Sequence, residues 1–125
     1  MRLLIDTHIL LWTLADSPKL SAQAREIMTS ASSIYVSSAS YWELAIKVSL
    51  GKLNIDLKQL RDTAERDGIE ELPVNGEHAI ATLSLAHHHK DPFDRLIIAT
   101  AISEPMKLLT ADSVVAQYTE LAILI

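Results

Sequence analysis

The sequence predicts an α/β fold, a three-layer α/β/α sandwich with a central parallel sheet. Short apolar runs, suited to strands buried on both faces, alternate with stretches in which apolar residues recur at helical spacing. Such alternation is typical of parallel sheets whose right-handed crossovers place helices on both faces. The 125 residues match the common size of one domain, and 49% of them are hydrophobic, enough for one core. We therefore predict a single domain over residues 1–125, without internal repeats or linkers.

The first half of the chain divides into elements at residues that start or stop regular structure. Asp6 ends the first apolar run, and Pro18 breaks the helix that follows it. Ser21 is suited to cap the second helix, and Gly51 supplies the stop for the third. In order, we predict a strand at 2–5, helices at 9–15 and 22–31, a strand at 34–36 and a helix at 38–50.

The second half of the chain follows the same alternation. Leu57, Leu60 and Ala64 lie at helical spacing before Gly68, and Pro105 ends a later apolar helix. In order, we predict a short helix that ends at Gly68, a strand at 69–72, helices at 77–85 and 92–103, a strand at 107–109, a short helix at 111–116 and an edge strand at 122–125.

Four acidic residues stand where a predicted strand ends or where the following helix begins: Asp6, Glu43, Asp94 and Asp112. The carboxyl ends of parallel strands meet at one edge of a sheet, where open α/β folds build their sites. Crowded carboxylates repel and raise one another's pKa unless a positive charge lies among them. Oxygen ligands of this kind suit Mg²⁺ or Mn²⁺, which keep waters that a substrate phosphate replaces. The sequence therefore predicts a metal-dependent phosphoryl-transfer enzyme.

Each of these acids also has a structural explanation. Asp6 and Asp112 are each suited to end a strand or cap the turn that follows. Glu43 completes a capping-box pattern with Ser40 and lies four residues before Lys47, the spacing of a helix-surface ion pair. These roles explain the acids one at a time, but they do not explain why the pattern recurs four times.

Two acids occur together at one predicted helix start. Asp91 suits the N-cap, Pro92 suits the first helical position, and Asp94 faces the unpaired backbone amides of the first turn. Because both carboxylates emerge at the same helix terminus, one can cap while the other binds metal. We assign capping to Asp91 and the ligand role to Asp94.

Composition narrows the class of protein. A formal net charge of −5 argues against a nucleic-acid ligand, but setting the four acids aside as metal ligands moves it to −1. Without cysteine there is no disulfide framework or thiolate zinc site, and none of the three glycines stands in a phosphate-loop pattern. The start of the chain lacks a signal-peptide core, and no apolar run is long enough to span a membrane. We expect a cytoplasmic protein.

Four segments carry a family resemblance: Leu4-Ile5-Asp6-Thr7-His8; Trp42-Glu43 with Lys47 and Gly51-Lys52-Leu53; Asp91-Pro92-Phe93-Asp94-Arg95; and Thr110-Ala111-Asp112. In this order they resemble the PIN-domain ribonuclease toxins of type II toxin–antitoxin modules, the VapC-like group. The resemblance spans essentially the whole chain. The chain departs from many relatives at Leu85-Ala86 and Thr100, none of which is an acid.

The resemblance implies a PIN-like sandwich that acts as a Mg²⁺-dependent endoribonuclease, with Mn²⁺ as the alternative ion. It places the metal-binding and catalytic acids at Asp6, Glu43, Asp94 and Asp112 and a supporting hydroxyl at Thr110. From their positions beside these acids, we also predict supporting roles for three residues, Asp91, Arg95 and Thr7, and candidate RNA contacts at Lys47 and Lys52. The resemblance also implies a homodimer, and a cognate antitoxin bound along an apolar groove that includes part of the Leu10-Leu11-Trp12 surface.

Two other classes remain open. The chain fits another acid-based phosphohydrolase or phosphoacceptor domain, or a catalytically silent interaction module whose acids only cap helices. The run His87-His88-His89 is typical of a solvated loop, although one histidine or Lys90 is placed to approach RNA. Trp12 and Trp42 are expected in the core or at a subunit interface rather than as base-stacking residues.

Overall fold

A computed structural model describes residues 1–88 and 91–125 of the chain. Within this part, five parallel strands form one sheet in the order β3-β2-β1-β4-β5. The strands are β1 (Arg2–Ile5), β2 (Ser33–Ser37), β3 (Ile69–Leu72), β4 (Lys107–Thr110) and β5 (Ala122–Leu124). The first strand of the sequence is therefore the middle strand of the sheet, and the predicted edge strand near the C-terminus lies at an edge.

The helices run between the strands. They are α1 (Thr7–Leu14), α2 (Ala22–Ser30), α3 (Ser38–Ser49), α4 (Leu57–Arg66), α5 (Gly76–Ala81), α6 (Pro92–Ser103) and α7 (Ser113–Ala116), and a 3₁₀ turn over Thr82–Ser84 follows α5. In the described ranges, none of these helices combines the length and the apolar run that crossing a bilayer requires.

Strand β1 shows why the fold has three layers. Its successive side chains point to opposite faces of the sheet: Leu3 and Ile5 join one core cluster, and Leu4 joins another. The first cluster takes residues from α1, α2, α3 and α4, whereas the second takes residues from α6 and α7. All three side chains are fully buried. The predicted α/β/α sandwich with a central parallel sheet is confirmed.

The predicted elements are all present, and their bounds shift where a side chain caps a helix. Helix α1 begins at Thr7 because Asp6 is its N-cap, and α7 begins at Ser113 because Asp112 is its N-cap. The single helix predicted over 77–85 is wrong in part, since it divides into α5 and the 3₁₀ turn. The predicted capping box of Ser40 and Glu43 is also wrong, because the N-cap of α3 is Ser37.

The strand register sets the position of the polar residues that follow the strands. Ile5 of β1 pairs with Val36 of β2 and with Leu109 of β4. The next residues along these three strands, Asp6, Ser37 and Thr110, therefore lie level with one another at the carboxyl edge of the sheet. The backbone amide of Asp6 donates a hydrogen bond to the Leu109 carbonyl at 3.2 Å, which ties this edge together.

We expect two glycine substitutions to have opposite effects on stability. Gly68 connects α4 to β3 with φ +84°, a left-handed conformation that costs an L-residue roughly 1–2 kcal/mol. Gly76 is the first residue of α5, lies outside that region and has no neighbouring atom where a Cβ would stand. Gly68→Ala should therefore lower the free energy of unfolding by about 1 kcal/mol, and Gly76→Ala should raise it by about 0.5 kcal/mol. Urea titration of both variants checks this, and equal effects would contradict the assigned backbone conformations.

Candidate active site

Asp6 occupies the middle of the carboxyl edge of the sheet. Its side chain is only 7% exposed, and one oxygen accepts a hydrogen bond from the Ile9 amide at 3.0 Å, which caps α1. The Thr110 hydroxyl forms a second hydrogen bond with the carboxylate. Asp6 is thus positioned by β1 behind it, by α1 after it and by the end of β4 beside it.

Asp112 approaches Asp6 from the neighbouring strand. Its Oδ1 accepts a hydrogen bond from the Val114 amide at 2.8 Å and caps α7. Its own amide donates to the Thr110 hydroxyl oxygen at 3.0 Å. Thr110 is fully buried, so its hydroxyl accepts from the backbone of Asp112 while it is hydrogen-bonded to the carboxylate of Asp6. This buried threonine links the two acids.

The surroundings of Asp6 disfavour its charged form. Burial raises the pKa of the Asp6 carboxyl, and the negative charge of Asp112 raises it further. The hydrogen bonds from Thr110 and the Ile9 amide, together with His8, oppose this rise without cancelling it. Carboxylates arranged in this way form a site that favours an added positive charge. Their hard oxygen donors suit Mg²⁺ or Mn²⁺ rather than a softer metal.

Asp6 and Asp112 open to solvent through a pocket of about 380 Å³. The pocket is lined by Asp6, His8, Trp12, Ala111, Asp112 and Ser113. The ring centroids of His8 and Trp12 lie 6.1 Å apart, so both side chains form one wall of the pocket. This pocket gives a phosphate group a route to the two acids.

Glu43 is tied by a hydrogen bond to Thr7, the residue after Asp6. Helix α3 presents Glu43 inward with 7% exposure, and the Thr7 hydroxyl donates to its Oε1 at 2.8 Å. The Ser40 hydroxyl oxygen lies 2.9 Å from that of Thr7. Since Thr7 directly follows Asp6 in the chain, this contact ties α3 to the start of α1. The sequence analysis interpreted Ser40 as a helix cap and did not predict its contact with Thr7. The signal was present, because Ser40 lies three residues before Glu43 and therefore on the same face of the helix.

Glu43 also forms the predicted ion pair with Lys47. The Lys47 ammonium lies 3.2 Å from Oε2, so the two carboxylate oxygens of Glu43 have different partners. The pair borders a groove of about 500 Å³ between α3 and α6. That groove is lined by Glu43, Ile46, Lys47, Leu50, Lys52, Asp91, Pro92 and Phe93. Both candidate RNA-contacting lysines therefore lie beside Glu43.

The start of α6 has the geometry that its sequence predicts. Asp91 is the N-cap, and its Oδ1 accepts from the Phe93 amide at 2.8 Å and from the Asp94 amide at 3.4 Å. Pro92 is the first helical residue, and Asp94 lies in the first turn. The capping role of Asp91 is confirmed. The ligand role of Asp94 stays a prediction.

Arg95 has a role that the sequence did not indicate. Its guanidinium donates to the Ala86 carbonyl at 2.7 Å, to the Thr82 carbonyl at 3.2 Å and to the Tyr118 hydroxyl at 3.3 Å. These contacts fasten Thr82 and Ala86 to α6, and α6 to Tyr118, which follows α7. A supporting role of Arg95 at the site stays a prediction.

The structure brings two of the predicted acids, Asp6 and Asp112, together at the carboxyl edge of the sheet, and among the described residues it does not join all four into a ligand cage. Asp6 and Asp112 share Thr110, and Glu43 is tied to Thr7. Across residues 1–88 and 91–125, no group of three or more histidine, cysteine or acidic side chains is close enough to hold a metal ion. The convergence of all four acids on one ion stays a prediction.

The remaining candidates lie around this edge. His88 contacts the Tyr118 ring at 5.2 Å, while His89 and Lys90 lie outside the described residues. Trp42 was expected in the core or at a subunit interface. It is 64% exposed, so the expectation that it lies in the core of this chain is wrong. Leu10 is fully buried and cannot line a surface groove. Leu11 does line one, between α1 and α4.

Comparison with known proteins places this geometry in a family. Residues 3–121 match the PIN domain. Ribonuclease VapC22 of Mycobacterium tuberculosis (strain ATCC 25618 / H37Rv) is 29% identical over 113 residues, which cover 87% of this chain and 85% of that protein.

Solved structures show the same fold at low sequence identity. VapBC2 from Rickettsia felis, bound to a DNA fragment from its promoter, matches with a TM-score of 0.72 at 19% identity over 100% of this chain and 98% of that chain. A toxin–antitoxin complex from Klebsiella pneumoniae matches with a TM-score of 0.65 at 16% identity over 96% and 94%. FitAcB from Neisseria gonorrhoeae matches with a TM-score of 0.65 at 20% identity over 98% and 96%. Because the PIN-domain match extends over nearly its whole length, this chain belongs to the PIN-domain family.

Proposed function

We propose that this chain is a metal-dependent endoribonuclease, the toxin of a cytoplasmic toxin–antitoxin module. The observation that carries the proposal is the buried carboxylate of Asp6 beside Asp112 at the carboxyl edge of a parallel sheet. Family membership and the similarity to a VapC ribonuclease support the substrate class. Asp6 and Asp112 do cap helices, as a silent interaction module would require. Capping, however, does not require the two carboxylates to lie so close that their negative charges repel one another.

The residues that would hold a divalent ion are Asp6, Glu43, Asp94 and Asp112, with Mg²⁺ as the expected ion and Mn²⁺ as the alternative. A bound divalent ion would supply positive charge for the phosphodiester oxygens and a source of hydroxide at neutral pH. The carboxylates orient the ion, and no side chain of this chain needs to act as a nucleophile. The P–O bond is broken by water, which leaves a phosphate on one RNA fragment and a hydroxyl on the other.

The neighbouring side chains position the acids. Thr110 holds Asp6 against Asp112, and Thr7 holds Glu43 by one oxygen. Such partners of metal ligands commonly contribute about 10- to 100-fold to metal affinity or activity. Lys47 balances the charge of Glu43 in the metal-free protein. With Lys52 in the same groove, it provides cationic contacts for RNA phosphates beside an otherwise acidic site.

The antitoxin is proposed to bind in the groove between α1 and α4. This groove of about 280 Å³ is lined by Leu11, Leu14, Ala15, Ile55, Asp56, Gln59, Leu60 and Thr63. Its mainly apolar lining suits the apolar face of a helix laid along it. Structural neighbours of this chain are toxin–antitoxin complexes, which supports an antitoxin as the occupant. A homodimer is also part of the proposal and rests on the family resemblance alone.

The function and the division of roles at α6 are tested by a matched pair of variants. Asp94→Asn should reduce Mn²⁺-dependent cleavage of RNA by about 100-fold or more, because even groups outside the ligand shell contribute about 10- to 100-fold. Asp91→Asn should reduce it by less than about 10-fold, because asparagine caps a helix as well as aspartate does. The measurement is cleavage of total RNA by purified protein, with the fragment ends sequenced. A wild type that cleaves no RNA with either ion contradicts the proposed function.

The pH dependence of stability tests the proposed metal site. The raised pKa of Asp6 means that the folded protein holds this proton more tightly than the unfolded chain does. Stability of the metal-free wild type is therefore lost as pH rises from the ordinary pKa of aspartate, about 3.9, through the raised value. Asp6→Asn keeps the N-cap and avoids this loss, so its melting temperature at pH 7 should exceed that of the wild type. The difference should disappear near pH 3.

Added Mn²⁺ supplies the second half of that test. It should raise the melting temperature of the wild type and leave that of Asp6→Asn unchanged, because an ion that binds only the folded state stabilises it. Asp62→Asn, an exposed change on α4, is the matched control and should follow the wild type in both measurements. Equal or lower stability of metal-free Asp6→Asn, without an effect of Mn²⁺ on the wild type, would support the silent interaction module instead.

The groove between α1 and α4 is tested by charge insertion. Leu60→Glu should weaken binding of the antitoxin of this module by about 10-fold or more, since a buried carboxylate would face its apolar side chains. Lys58→Glu changes the charge of the same helix even more, but at an exposed position outside the groove, and should have little effect. Titration calorimetry measures both, and RNA cleavage confirms that each variant is folded. Equal affinities for the two variants would exclude this groove as the binding site.

A further inference from the structure

One exposed aromatic side chain lies directly beside the acidic edge. Trp42 of α3 is 64% exposed, whereas the next residue, Glu43, is 7% exposed. Neighbouring residues of a helix point about 100° apart, so the indole stands on the outer side of the same turn that carries the acid inward. Trp42 therefore adjoins the site without taking part in holding it.

Trp42 is oriented by a second aromatic ring. Its ring centroid lies 5.2 Å from that of Phe93, and the two planes meet at 77°, an edge-to-face contact. Phe93 itself is fixed at the start of α6, where its amide donates to the Asp91 cap. The pair thus joins α3 to α6, the two helices that carry Glu43 and Asp94. An aromatic surface held in this way loses little freedom when a ligand stacks on it.

The groove beside this pair offers ammonium groups to a phosphate backbone. Lys47 and Lys52 line it together with Phe93, Glu43 and Asp91, and the Lys47 ammonium is paired with Glu43. Lysines beside an exposed aromatic ring are the usual arrangement for binding single strands, in which lysines contact the backbone and bases stack on the ring. Interfaces between proteins, in contrast, are depleted of lysine at their centres. The charge pattern therefore favours RNA over a second protein as the partner of Trp42.

We propose that Trp42, oriented by Phe93, is a stacking platform for one base of single-stranded RNA next to the scissile phosphate. This inference rests on the proposed ribonuclease function and deepens it, because it names a binding subsite and the chemical class of its ligand. The platform selects unpaired RNA, since a base stacked in a duplex has no free face to offer. It binds by the π face, so it tolerates different bases.

The experiment measures binding of a single-stranded RNA of about 10 nucleotides, spanning a mapped cleavage position, in an Asp94→Asn background with Mn²⁺. Trp42→Ala and Trp42→Leu should weaken binding by about 5- to 150-fold, the range that corresponds to loss of one stacked base, and Trp42→Phe should recover most of it. Ile80→Ala is the matched control, because Ile80 of α5 is 67% exposed, has no ring and lies outside this groove. It should change binding by less than about twofold.

A second readout locates the base. A set of RNAs carries a single abasic site, at a different position in each RNA. At one position the abasic site should weaken RNA binding by the wild-type protein and leave RNA binding by Trp42→Ala unchanged. A loss that is the same for both proteins at every position would overturn the inference. So would unchanged RNA affinity of Trp42→Ala together with dissociation of a dimer in sedimentation experiments, which would assign Trp42 to contact with a second copy.

The two proposals fail in different ways. If wild-type protein cleaves RNA and Trp42→Ala binds it equally well, the stacking platform is wrong and the ribonuclease function stands. If wild-type protein neither cleaves nor binds RNA with either ion, the function itself is wrong and the platform fails with it.

Discussion

The end of β1 is the constraint on which the rest of the site depends. This strand lies in the middle of a parallel sheet, and its side chains are buried on both faces. Asp6 follows it directly, so its carboxylate is held where water is largely excluded and where a neighbouring strand brings Asp112 close. A negative charge is unfavourable in such a position. The sheet therefore holds negative charge at this edge in an unfavourable environment, and a bound cation would offset that energy.

Several polar groups of the site have two roles. The carboxylates of Asp6 and Asp112 cap α1 and α7, and the Thr110 hydroxyl joins them. A capped helix presents its positive end to the acid that caps it, which partly offsets the cost of burying the charge. Structural and chemical interpretations of these acids are therefore compatible. This explains why capping alone cannot decide whether such a residue is functional.

The surface of the domain divides by charge and polarity. An acidic pocket lies at the sheet edge, and a separate groove with Lys47 and Lys52 lies between α3 and α6. A mainly apolar groove lies between α1 and α4. The first two surfaces together suit a phosphodiester chain, whereas the third suits an amphipathic helix. Although the formal net charge is −5, Lys47 and Lys52 balance the charges of the two acids, Glu43 and Asp91, that line the same groove.

The sequence by itself determined the fold class, nearly all element positions and the edge at which Asp6 and Asp112 lie, because hydrophobic period and capping residues are local signals. It also determined the Asp91 cap and the Glu43–Lys47 pair, which depend only on spacing along one helix. Only the tertiary structure decided that Thr7 holds Glu43, that Arg95 fastens the segment before α6, and that Trp42 is exposed. Those contacts join residues on different elements, and no pattern within a single element specifies which side chains meet across the space between them.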